Sequence, residues 1–148
     1  MTGRTVIVDD HILLRLLLDD EPVELRPLGA AVATTGLWYH RLCRALSSTT
    51  VTGSLSRALG GADADIAAAA VRAVTTLPET IGLVSLRGLA WPMAEVLGTG
   101  PPLNLMSLEA LAAAEHLDAE LCLAAVDANP PLIEAAASRN VATRLIDL

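Results

Sequence analysis

The sequence predicts an α/β fold of three layers, α/β/α, with a central parallel sheet of about five strands. Two observations predict it. Short apolar runs of strand length alternate with amphipathic stretches of helical length along most of the chain, joined by short links, which is the pattern of strands whose crossovers are helices. Several of these runs end on a carboxylate, Asp9 and Asp127 among them, and ligands in open α/β sheets bind in the crevice beyond the carboxyl ends of the strands. At 148 residues the chain has the size of one domain, residues 1–148. Such a domain buries roughly 70% of its unfolded surface.

Residues 4–9 read as the first strand, ending on the pair Asp9 and Asp10, and residues 11–19 as an amphipathic helix closed by the acidic, Pro-containing "DDEPVELRP". Asp10 is the expected N-cap of that helix, since a carboxylate there satisfies an orphan backbone N–H. "AAVATT" (30–35) is a second strand and "GLWYHRLCRAL" (36–46) a helix. The Ser, Thr and Gly density of "SSTTVTGSLSRALGG" reads as a loop. An Ala-rich helix over 62–76 and the strand "IGLVSL" (81–86) follow, and then "LAWPMAEVLG", a helix interrupted or opened by Pro92. After "GTGPP", Ser107 is expected to cap a helix to about Asp118, with Glu109 in its first turn. "ELCLAAVD" (120–127) is an apolar strand, "PPLIEAAASRN" a helix with Pro near its start, and "VATRLI" a closing strand.

Composition narrows the function. Hydrophobic residues make up 53% of the chain and the mean hydropathy is +0.51, but no apolar run approaches the ~20 residues of a membrane span. The N-terminus lacks the pattern of a secretory signal, so a cytoplasmic protein without a membrane partner is expected. Cys43 and Cys122 fall inside a helix and a strand, where buried free thiols are expected rather than a bridge or a metal site. All ten basic residues are Arg, and the net charge is −7. Non-specific nucleic-acid binding, which rests on neutralising phosphates, is thereby disfavoured. RNA would need a metal ion, a local Arg patch or a basic partner.

Two families open on a strand that ends in such acids. "VIVDDHILLR" resembles the start of a phosphorylation receiver domain, but that family also uses a phospho-accepting Asp after its third strand and a Lys after its fifth. The stretch near residue 54, "TTVTGSLSR", has no Asp, and the chain has no Lys. The second resemblance covers almost the whole chain. "SLEALAAAEHLDAELCLAAVD" (107–127) is similar to the C-terminal signature of PIN domains, an acid followed by an Ala-rich helix and a strand ending in Asp. Glu109 and Asp127 occupy its acidic positions, and Asp9 that of the acid ending strand one.

The resemblance implies that the strands ending in Asp9 and Asp127 lie side by side. It implies a metal-dependent endoribonuclease, often the toxin of a toxin–antitoxin pair and frequently a homodimer, acting on single-stranded or structured RNA, with a cognate antitoxin protein as partner. Asp9, Glu109 and Asp127 would be the catalytic set and would hold Mg or Mn, hard ions that take oxygen ligands and can generate an attacking hydroxide. A first-turn Glu is also an ordinary helix residue, favoured there by the macrodipole. His116, two turns beyond Glu109, is a weaker candidate.

One position departs from the family. Where PIN domains carry a Glu in a stretch resembling Glu-Leu-x-Arg-Ala-Leu, this chain reads "RLCRAL" (41–46), with Arg41 in the acid's place. A guanidinium offers five donors in a planar fork suited to carboxylates and repels a divalent cation. Two functions remain open: an altered nuclease whose Arg41 contacts substrate phosphate, or a PIN-like module that binds RNA or a protein without cutting. Arg44, Arg57 and Asn129 are further candidates for substrate contact, Asn before Pro-Pro being also a turn former.

Overall fold

The computed structural model describes residues 4–27, 29–47, 64–100 and 102–148. In chain order these form β1 (Val6–Val8), α1 (Asp10–Leu17), β2 (Val32–Thr35), α2 (Gly36–Ser47), α3 (Ala64–Thr75), β3 (Ile81–Val84) and α4 (Leu86–Thr99). There follow α5 (Leu105–Leu117), β4 (Glu120–Ala124), a 3-10 turn (Ala125–Asp127), α6 (Pro130–Ser138) and β5 (Thr143–Ile146). The strands form one sheet in the order β3-β2-β1-β4-β5, and every adjacent pair is parallel. The expected α/β class and five-stranded parallel sheet are therefore observed.

Alternation along the strands divides the core into two layers. Ile7, Ala33, Leu121 and Leu123 face Leu89 and Met93 of α4, Leu111 of α5 and Leu132 of α6. Their neighbours Val6, Val8, Val32, Cys122 and Ala124 face Ile12 and Leu13 of α1, Leu42 of α2 and Ala70 of α3. Both faces of the central strands β1, β2 and β4 are covered, which is why β1 and β4 carry apolar residues at successive positions. In α5 every residue from Ser107 to Ala114 is buried. Its alanines suit that place, because a helix enclosed on all sides has room for little beyond a methyl group.

Several element ends differ from the sequence-based expectation, each for a local reason. Asp9, not Asp10, is the N-cap of α1, its side chain accepting from the Ile12 N–H. Asn104, not Ser107, caps α5 by accepting from the Ser107 N–H at 2.8 Å, so Glu109 sits in the second turn. The fourth strand stops at Ala124, and Asp127 lies in the 3-10 turn beyond it. Helix α4 begins at Leu86, with Ser85 as its cap, and runs through Pro92. The Ser/Thr-rich stretch after α2, with Arg57, lies outside the described residues.

Cys43 is half-buried and Cys122 buried, both as free thiols. Among the described residues no helix is long and apolar enough to cross a membrane.

Candidate functional site

The sheet register brings the chemistry together. β1 and β4 are neighbours, with Val8 opposite Cys122, so the chain leaves both strands at the same edge, as the resemblance implied. Asp9 leaves β1 there and the 3-10 turn leaves β4. Between them and the start of α6 lies a cleft of about 280 Å³, lined by Asp9, Trp38, Arg41, Asn104, Ser107, Asp127 and Asn129 over an apolar floor that includes Leu123 and Leu132.

Asp9 is 3% exposed. Its Oδ1 accepts from the Ile12 N–H at 3.0 Å and its Oδ2 from the Ala124 N–H at 2.8 Å. One carboxylate thus caps α1 and fastens the end of β4. Burial pushes its pKa up to about 6 against the lowering effect of those two bonds, and the neighbouring Asp10 adds to the rise.

Asp10 is completely buried, and Arg41 grips it with a fork: Nε donates to Oδ2 and Nη2 to Oδ1. The same Nη2 donates to Asp127 Oδ2 at 2.9 Å. His11, 6% exposed, places its Nε2 3.4 Å from that oxygen. Bonding to Asp10 raises the Arg41 pKa above its ordinary value, more than burial lowers it. Arg41 is therefore a fixed cation that bridges α1 to the turn after β4.

Glu109 is also completely buried but does not line the cleft. Its Oε1 accepts from the Leu37 N–H at 2.8 Å, and a Cβ on Gly36 would lie 3.8 Å from its Oε2. The carboxylate serves the N-terminus of α2, where anions are favoured. Thr35 Oγ1 assists by accepting from the Trp38 N–H at 3.4 Å. Glu109 Oε2 is buried with no hydrogen-bond partner among the described residues.

Asn129 caps α6, accepting from the Leu132 N–H at 3.3 Å, while its Nδ2 donates to Ser107 Oγ at 2.7 Å. With Asn104 it forms a chain of caps joining the starts of α5 and α6 on the cleft wall. Arg44 is exposed in the last turn of α2 and does not line the cleft. His116 is exposed on the α4 side of α5, where a Cβ on Gly88 would come 3.7 Å from its Nε2.

The cleft thus joins Asp9, Asp127, Arg41 and Asn129 of the expected residues. Sequence reading passed over His11, Asn104 and the pairing of Asp10 with Arg41. The doubled Asp at the end of β1 carried the signal for that last pair, because a helix needs only one cap and the second acid faces inward.

The predicted metal set is engaged otherwise. Both Asp9 oxygens take backbone N–H groups, Glu109 takes another, and a dication at Asp127 would meet the Arg41 guanidinium. Of the three, only Asp127 meets the arginine. A different trio, Asp10, His11 and Asp127, has ligand atoms within 4.8 Å of one another, and Arg41 holds two of its three members. No protein-family model matches the chain, and no curated protein matches it.

Proposed function

We propose that this chain is a PIN-like module that binds a basic segment of a partner protein through its acidic cleft and, with Arg41 in place, does not cut RNA. The observation behind this reading is the Arg41 bridge between Asp10 and Asp127. A guanidinium occupies the position from which a hard dication would have to work, and its charge is held by a completely buried acid. Two acids line the cleft, Asp9 and Asp127, and the one arginine there is already gripped from behind by the buried Asp10. With a net charge of −7, the balance favours cationic side chains over phosphate as ligands. A basic partner of the antitoxin kind fits the resemblance and this electrostatics together.

The test pairs two measurements on the full chain. An arginine-rich peptide should bind, and Asp127→Asn, which removes the half-exposed acid at the cleft, should weaken that binding. The same protein with manganese should leave single-stranded RNA intact. Cleavage by the wild type would refute the reading.

A second reading is supported by Asp10, His11 and Asp127. Imidazole with carboxylate suits manganese or zinc, and a metal that displaced Arg41 from this trio would turn the cleft into that of a metal-dependent endoribonuclease. Cleavage that requires both metal and His11 would favour it.

A further inference from the structure

Among the large apolar side chains of the described residues, Val23 is the most exposed, at 97%. It lies in the link between α1 and β2. A lone exposed valine is ordinary, but this one borders a groove of about 220 Å³ that it lines together with Pro22 and Leu148, over the buried Ile146. Leu148 is itself exposed. The link is held in place from beneath. Arg144 of β5 donates to the Glu24 and Leu25 carbonyls, the Leu25 N–H donates to the Pro22 carbonyl at 3.0 Å, and the Leu25 side chain is wholly buried. A ligand settling here would therefore have little loop ordering to offset.

Charge then selects what the groove can take. Asp20, Glu24 and Asp147 line it, and Arg15 is the one cation among its lining residues. Arg15 is already bonded to Asp20, and Arg144 nearby pairs with Glu120. Glu24 and Asp147 form no ion pair among the described residues. An apolar floor beside unpaired carboxylates is complementary to a Lys or Arg side chain, whose methylene stem lies along apolar surface while its charged head stays in the wet rim. A wholly apolar segment would cover the two carboxylates without giving them a partner. An acidic one would meet like charge on a chain whose net charge is −7.

We propose that this groove is a docking site for an amphipathic basic segment of a partner protein, one in which aliphatic and cationic side chains are neighbours. The aliphatic groups pack on Val23 and Leu148, and the cations face Glu24 and Asp147. The inference does not rest on the reading of the cleft, since no residue lines both. A contact of this size lies at the small end of interfaces, so binding should be weak and salt-dependent.

The probe is a peptide of repeated Lys-Leu pairs, titrated at low salt into the isotope-labelled full chain and followed by amide chemical shifts. The amides of Val23, Glu24 and Asp147 should shift. Those of Asp127 and Asn129 report on the cleft, so the two surfaces succeed or fail separately. Val23→Ser should weaken binding at the groove by about tenfold, the loss of one buried aliphatic side chain, whereas Val23→Leu should retain it. Glu24→Gln combined with Asp147→Asn should also weaken binding, by a factor that shrinks as salt is raised. All three positions are exposed, and an unchanged Tm shows that the variants fold. A Lys-Ser peptide of equal charge should bind at least about tenfold more weakly than the Lys-Leu peptide. Equal binding of the two peptides, shifts confined to the cleft, or a groove indifferent to Val23→Ser would each overturn the proposal. Spermidine that binds the groove as tightly as the peptide would assign it to a small amine instead. Groove shifts that grow with protein concentration before any peptide is added would assign it to a second copy, and either outcome overturns the proposal too.

Discussion

Nη2 of Arg41 donates at 2.9 Å to Oδ2 of Asp127, 86 positions further along the chain. The bond ties α2, on one side of the sheet, to the turn that follows β4. The rest of the guanidinium grips Asp10 in the first turn of α1. Three segments are held together at the carboxyl edge of the sheet by one side chain. Beneath it Asp9 performs a second tie, from α1 to Ala124.

Asp9 should leave a signature in the pH dependence of stability. Its native pKa of about 6 lies above the ordinary aspartate value of 3.8, so between these values the folded state keeps a proton that the unfolded state has released. Below pH ~4 both states are protonated and the full contribution is present. As pH rises toward ~6 it is lost, by about 3 kcal/mol in total. Asp9→Asn retains an acceptor for the Ile12 N–H and cannot titrate. Denaturant midpoints from pH ~4 to ~6.5 should show wild-type stability falling relative to the variant across that window. A constant difference would mean that Asp9 is charged throughout.

The fold was legible because the central strands, enclosed on both faces, are mostly apolar, and the helices between them keep their period. The acids at the edge were legible as a group, since Asp9, Asp10 and Asp127 all follow apolar runs. Their division of labour was not. Whether Asp9 or Asp10 caps α1 depends on where β1 stops, and one residue of shift exchanges a cap for an ion pair. Glu109 misled more thoroughly. Its place in an Ala-rich helix resembles a signature, but the cap that starts α5 lies at Asn104, three residues before Ser107, and its backbone partner at Leu37 is 72 positions away. No local pattern encodes a bond of that separation.

Glu109 should therefore behave as a helix cap. Glu109→Gln keeps an oxygen for the Leu37 N–H and should change stability little. Glu109→Leu has similar bulk but leaves that N–H unpaired at the start of α2, which should cost roughly 1–3 kcal/mol. Denaturant midpoints of the two variants separate the roles. Equal loss in both would show that the negative charge, rather than the acceptor, matters at this position.

The two thiols should differ sharply in reactivity. Cys122 is completely buried, and burial pushes its pKa up to about 11 although Arg144 beside it acts in the opposite direction. Arg144 Nη2 donates to its Sγ at 3.4 Å and also to the Leu25 carbonyl, while Nη1 donates to that of Glu24. An aromatic disulfide reagent at pH ~8 should therefore label only the half-buried Cys43 in the native protein, and both thiols after denaturation, because thiolate and access are needed together. Arg144→Met should loosen the segment around Leu25 by about 1–2 kcal/mol and speed labelling of Cys122. Prompt labelling of Cys122 in the wild type would contradict its burial.

Arg41 separates the readings of the cleft. Arg41→Ala leaves Asp10 buried without its fork and should cost about 3 kcal/mol, the low end for breaking a buried pair, because Arg41 itself is 36% exposed. Arg41→Lys should recover only part of this, since an ammonium cannot grip Asp10 with two nitrogens while reaching Asp127. Arg41→Glu adds a further acid beside Asp10 and should be the least stable of the three without metal. If the acids can together hold a dication once the arginine is gone, manganese at 100 times its dissociation constant should return about 2.7 kcal/mol to Arg41→Glu, and wild type should not respond. A wild-type Tm that rises with manganese would mean that the metal displaces Arg41 unaided, which favours the nuclease. Silence from both proteins would mean that the acids serve as ties and partner contacts, and the arginine-rich peptide would then be the ligand whose binding has to be found.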